Sequence, residues 1–195
     1  MQRRKKDRWL ILALVAPLGL LTVSYYLGWL GADAIGAFTR WTGRVALLLL
    51  LLSLVPTALR SLKLGRGAVR WRRVLGLSAF AYAVGHLAVY SVLDYGLDIG
   101  LLVASILRSR FIWIGALALL ILVPLAVTST SRWQRRLGKR WRRLHRFTYA
   151  SALLACLHYL YRFKEIRALP VVALALLGVL LVARIPGWLR RSRAS

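Results

Sequence analysis

Long apolar stretches separated by short basic runs set the rhythm of this chain. A helix that crosses ~30 Å of hydrocarbon needs roughly 20 mostly apolar residues at about 1.5 Å each. Six segments meet or approach that length, at 9–29, 44–60, 74–93, 111–128, 144–162 and 168–186. The second is short, yet it carries the unbroken leucine run Leu47 to Leu52. Ile99 to Leu107 is apolar but too short to span, and reads as a helix lying along the outer interface, where it could lid an outer site. Pro17, Pro56 and Pro124 fall within or near the ends of spans, where membrane helices tolerate proline. Trp9, Trp29, Trp41, Trp113 and Trp188 sit close to predicted interfaces, as an aromatic belt requires. The pattern predicts an all-α integral membrane protein, one domain over residues 1–195 with six transmembrane helices.

Charge changes this picture by adding a direction. The 195 residues hold 30 Lys and Arg against 5 Asp and Glu, a net charge of +25, while 59% are hydrophobic and the mean hydropathy is +0.64. Nucleic-acid binders gather their cations on a folded polar surface, whereas these lie between spans, so no nucleic-acid partner is expected. One side holds 23 cations: Arg3, Arg4, Lys5, Lys6 and Arg8, then Arg60, Lys63, Arg66, Arg70, Arg72 and Arg73, then the eight from Arg132 to Arg146, then Arg184, Arg190, Arg191 and Arg193. The other side holds 7: Arg40, Arg44, Arg108, Arg110, Arg162, Lys164 and Arg167. The positive-inside rule then places both termini in the cytoplasm. Contact with anionic membrane lipid is the simplest role for the solvated faces of the basic runs. The opening basic cluster is followed by no small-residue cleavage pattern, so the first apolar segment is expected to be retained as a span. Cys156 is the single cysteine, which leaves no intramolecular disulfide and no cysteine-built metal site.

The candidate chemistry rests on three histidines, His86, His145 and His158, each within or at the mouth of a predicted span. A lone intramembrane histidine commonly serves as an interhelical hydrogen-bond partner, but neutral imidazole is also an axial ligand for haem iron. Depth separates the two readings. His86 lies 13 residues beyond Arg73 and His158 lies 15 beyond Arg143, ~20 and ~22 Å up their helices. Two imidazoles at one height on two helices can hold one haem in six-coordinate form, suited to electron transfer. Tyr82, Tyr90, Tyr159 and Tyr161 could line that pocket or serve as interfacial anchors, and Arg44, Arg108, Arg110 and Arg162 could pair with propionates. Gly85 beside His86 would ease the approach of a flat macrocycle. His145 sits 13 residues before His158, ~20 Å away along the same predicted helix. At its level on the third span stands Arg73, a poor iron ligand because it stays protonated. The inner site is therefore a haem with an unusual or missing second ligand, or a flavin or quinone site using His145. A transporter or channel would call for intramembrane acids or internal repeats, and neither is evident. A non-redox scaffold would leave the matched depths as coincidence.

GLSAFAYAVGHLAVY (Gly76 to Tyr90), LAVTSTS (Leu125 to Ser131), LGKRWRRLHRFTYASALLACLHYLY (Leu137 to Tyr161) and TGR (Thr42 to Arg44) resemble, in that set, the haem-binding membrane subunits of periplasmic protein-methionine-sulfoxide reductase systems, within the ferric-reductase-like transmembrane group. The resemblance covers essentially the whole chain. It implies a b-type haem protein of the bacterial inner membrane that passes electrons from quinol or a flavin reductase to a periplasmic molybdopterin-dependent subunit, where methionine sulfoxide itself is reduced. It implies one haem b, or two if the inner site also holds one, and FMN. His86, His145 and His158 match the family's histidines. The wider group carries two histidines on each of two helices, so Arg73 stands where a fourth is expected. No NADPH- or FAD-binding domain is expected after the last span, so reducing equivalents come from another molecule.

Overall fold

The computed structural model describes residues 15–64, 71–163 and 167–185, and among them the chain is helical, with no strand. The N-terminal basic cluster, Trp9, Arg66, Arg70, Lys164, Glu165 and the tail with Trp188 and its arginines lie outside the described residues. Short polar caps cut the apolar sequence into helices. After α1 (Val15–Tyr26), the Asp33 carboxylate accepts from the Gly36 amide and opens α2, Ala34–Ser61. The same carboxylate meets Arg40 at 2.7 Å, and that hydrogen bond holds its pKa below the ordinary value. α2 starts ten residues before the 44 expected from hydropathy. Its polar first turns stay helical because Thr39 and Thr42 return their hydroxyls to the carbonyls of Ile35 and Phe38.

α3 (Trp71–Val89) widens into a π turn over Tyr90–Asp94. Gly96 and Leu97, both at positive φ, then reverse the chain into α4 (Ile99–Arg108), capped by Asp98. α4 is the expected short apolar helix. α5 (Arg110–Val127) follows at once, and two small basic helices, α6 (Ser131–Leu137) and α7 (Lys139–Leu144), flank Gly138 at positive φ. α8 covers Phe147–Tyr161 and α9 covers Ala168–Val182. One expectation needs correction: His145 does not share a helix with His158. It lies in the turn between α7 and α8, because its carbonyl accepts from Thr148 and its ring bonds Thr128, local bonds that replace helical continuation.

Each of the six apolar segments is helical over most of its described residues, with turns at 27–29 and 145–146 among the exceptions. α2, α3 with its π turn, and α5 are long and apolar enough to cross a membrane; α1, α8 and α9 are shorter. α2 is central, packed along α3 and touching α8 and α9, while α5 packs on α8. Leu50 and Leu54 of α2, Tyr82 of α3, Leu122 of α5, Ala152 and Cys156 of α8 and Leu177 of α9 form the core. Ala152 and Cys156 are fully buried; small side chains there let helix backbones approach. Ser151 donates to the Ala118 carbonyl at 2.9 Å and ties α8 to α5. Outward positions keep large apolar side chains exposed, among them Leu120, Val172 and Val179, a surface suited to lipid.

Two outcomes test this packing. Ala152→Leu, which inserts atoms where no space exists, should lower the detergent-phase melting temperature well beyond Leu153→Ala at an exposed neighbouring site. Asp33→Asn should keep the α2 cap but lose the Arg40 bridge. The bridge stabilises above the carboxyl's unfolded pKa near 3.8 and is lost as pH falls through the lowered folded value, so D33N should flatten the acid limb of the melting profile.

Candidate functional site

Neighbouring helices dictate where two of the three histidines point. His86 is held by α2: its Nδ1 lies 2.9 Å from the Thr39 carbonyl and 3.5 Å from the Thr42 hydroxyl. His158 is held by α5: its Nδ1 lies 2.6 Å from the Phe111 carbonyl. A carbonyl only accepts, so Nδ1 carries the proton in both rings and Nε2 keeps its lone pair. This is the tautomer that histidine metal ligands adopt when a backbone carbonyl orients them. The Phe111 ring stacks near His158 at 5.7 Å, and Arg162 lies over Phe111.

The two imidazoles come together as their depths predicted, with centroids 6.3 Å apart and planes at 73°. An iron bonded to both would sit about 2 Å from each nitrogen and hence about 3 Å from each ring centroid. The required separation is then about 6 Å, which the observed 6.3 Å between centroids matches. Of the expected surroundings, Tyr82 is buried in the core and Tyr159 packs against it, whereas Tyr161 is exposed. Tyr90 joins Tyr95 and Ser105 in a triangle of hydroxyls with sides of 2.8, 2.8 and 3.2 Å, which fastens α4 to the end of α3.

His145 belongs to a different site at the basic end. Its Nε2 is 3.1 Å from the Thr128 hydroxyl, whose own proton goes to the Pro124 carbonyl at 2.6 Å. Nε2–H therefore donates, and the nitrogen left with a lone pair is Nδ1. Trp141 stacks on the ring at 4.1 Å and donates its indole N–H to the Thr128 carbonyl. His145 also lines a cavity of about 880 Å³ that contains Arg73 as well, within the ~300–1,000 Å³ typical of cofactor pockets. Among the described residues eight lining side chains are cationic, including Arg72, Arg143 and Arg184, and none is acidic. Arg184 lies 4.4 Å over the Tyr149 ring. The buried Tyr149 hydroxyl has no hydrogen-bond partner among the described residues, which leaves it free to bond water or a bound group.

Sequence reasoning missed two residues. Gly43 sits directly under the His86 ring and Gly115 under the His158 ring, whereas a Cβ on Gly85, the glycine singled out beside His86, would meet no protein atom. Residues 42–156 match the family model described as ferric reductase like transmembrane component. The chain belongs to this family. Two relatives within reach of whole-chain comparison are both named protein-methionine-sulfoxide reductase heme-binding subunit MsrQ. The one from Rhodospirillum rubrum is 43% identical over 93% of this chain and 88% of its own length. The one from Brucella anthropi is 41% identical over 83% of this chain and 74% of its own. No solved structure matches the chain. The ferric-reductase-like match thus spans both histidine-bearing hairpins up to Cys156, two residues short of His158.

The Thr128–His145 contact generates its own expectation. Thr128→Val keeps the volume and removes the acceptor, so the His145 ring should turn. Its Nε2–H proton resonance should then move and exchange faster, with the His86 and His158 resonances unchanged.

Proposed function

We propose that this chain is a haem-binding electron-transfer subunit, carrying electrons across the bacterial inner membrane to a periplasmic protein-methionine-sulfoxide reductase subunit of molybdopterin type. The observation that carries the reading is the His86/His158 pair: Nδ1 of each ring is committed to a backbone carbonyl, and the rings stand 6.3 Å apart. Relatives named as haem-binding subunits at 41–43% identity support it. Bound there, haem b supplies one-electron chemistry. The protein's part is to fix the tautomer, the height and the facing of the two ligands, and to keep water away with the α2, α3, α5 and α8 packing. Reduction of methionine sulfoxide falls to the partner.

The basic cavity is the entry side in this reading. Eight cations without an acid favour a ligand bearing carboxylates or phosphate, which suits FMN or a second haem better than a neutral quinone. His145 and Arg73 contact it, and quinol or a flavin reductase supplies electrons from outside the chain. In this reading the cavity lies at the cytoplasmic face, the termini lie in the cytoplasm and six helices cross the bilayer, which the 23-to-7 division of cations along the sequence supports.

Dithionite-reduced minus oxidised spectra of the purified protein should show a b-type haem; a featureless difference would overturn the proposal. His86→Ala or His158→Ala should abolish that haem, whereas His145→Ala should spare it. Combined Arg72→Ala and Arg143→Ala should cut extractable flavin or haem at the basic site about tenfold or more, as loss of charge-assisted bonds implies, and leave the histidine-pair haem in place. Topology is accessible because Cys156 is buried: an impermeant maleimide should reach a cysteine at exposed Leu97 from the periplasm, and one at Arg136 only after the membrane is opened.

A further inference from the structure

The two haem-facing histidines are seated in the same way, and the seat lies on the opposite helix. In α2, the Thr39 carbonyl takes the His86 Nδ1–H, and Gly43, one turn on, faces the ring. In α5, the Phe111 carbonyl takes the His158 Nδ1–H, and Gly115, again four residues on, faces the ring. A Cβ on Gly43 would lie 3.0 Å from the His86 Cε1 and 3.1 Å from its Nδ1. One on Gly115 would lie 2.7 Å from the His158 Nδ1 and 2.8 Å from its Cε1, distances that real Cβ atoms do not sustain. Glycine is a weaker helix former than alanine, and at these two points the facing imidazole supplies a local reason for it.

We infer that Gly43 and Gly115 are positioning residues for the haem ligands: each admits an imidazole against the backbone of the neighbouring helix, so that the carbonyl one turn before it takes the Nδ1 proton and Nε2 is left aimed at the iron. The inference rests on the haem reading above. The carbonyl bond makes the imidazole more basic and so favours ferric iron. A methyl at Gly115 pushes the His158 ring off its carbonyl, weakens that donation, and raises the midpoint potential. It should also weaken haem binding about tenfold or more, the usual cost of losing an outer hydrogen-bond partner. At Gly43 the ring needs to give only a few tenths of an ångström, so the shift is smaller. Gly178→Ala, at an exposed position of α9 with open space around its Cβ, is the control.

The test measures three things on wild type, G43A, G115A and G178A in detergent: haem per chain, the low-spin electron paramagnetic resonance g-values, and the midpoint potential, with melting temperature recorded beside them. The expected order of g-value change and potential rise is G115A above G43A, with G178A equal to wild type. If G115A does not fold, G43A still has to move both readings in the stated direction. Haem in all four proteins with identical g-values and potentials overturns the inference while leaving the haem reading intact. A G115A protein that melts earlier yet keeps the wild-type signature overturns it too, since the glycine then serves helix packing alone. Wild type without haem would overturn the haem reading and this inference with it.

Discussion

Every polar atom placed at membrane depth needs a partner from the protein itself, because hydrocarbon offers none. Two imidazoles face this constraint twice over, with one N–H to satisfy and one lone pair to keep available. The backbone of the next helix answers both. A helical carbonyl has a second lone pair beyond its own i+4 amide, so Thr39 and Phe111 can accept from histidine without breaking α2 or α5. The ring has to reach that carbonyl through the side-chain layer, and the missing Cβ at Gly43 and Gly115 leaves room for it.

The rest of the bundle follows from this approach. α2 with α3 and α5 with α8 form two close antiparallel pairs, each joining one histidine to one carbonyl donor helix. Their contact needs small buried residues such as Ala79, Ser151, Ala152 and Cys156, and the Ser151 bond to Ala118 fixes the register of the second pair. Bulky apolar side chains are left for the outside and for the α2 leucine seam. Above the pair, the Tyr90, Tyr95 and Ser105 hydroxyls satisfy one another and hold α4 in place. That is one reason a ten-residue apolar helix rests there instead of dissolving into a loop.

Much of this was legible along the chain. Apolar length located the helices, and the rise per residue put His86 and His158 at one level before any contact was known. The limits were physical. Hydropathy could not see that α2 begins at Ala34, since Thr39, Arg40, Thr42 and Arg44 lower the local average while their side chains still fit a helix. The helix period could not see the break at His145, which depends on Thr128 and Thr148, one of them 17 residues away. Gly43 and Gly115 were hidden for a different reason. A glycine in an apolar helix looks like any other weak position until the neighbouring helix is in place.

The two ends of the bundle solve opposite electrostatic problems. Under the haem proposal the histidine pair supplies two neutral imidazoles, so a group bound there would be held by coordination and by shape. At the basic end, cations that the positive-inside rule reads as a topology signal also line the cavity beside His145. Eight like charges around one space repel each other in proportion to the reciprocal of their distance and of the local dielectric. Among the described residues no acid stands with them, so water, phosphate headgroups or a bound anion must carry the compensation. The anionic cofactor proposed above would do this at the shortest range, beside a Tyr149 hydroxyl that has no hydrogen-bond partner among the described residues. Under that proposal the cation surplus read from the sequence as a topology signal is also a binding determinant, since both demands place positive charge on one face.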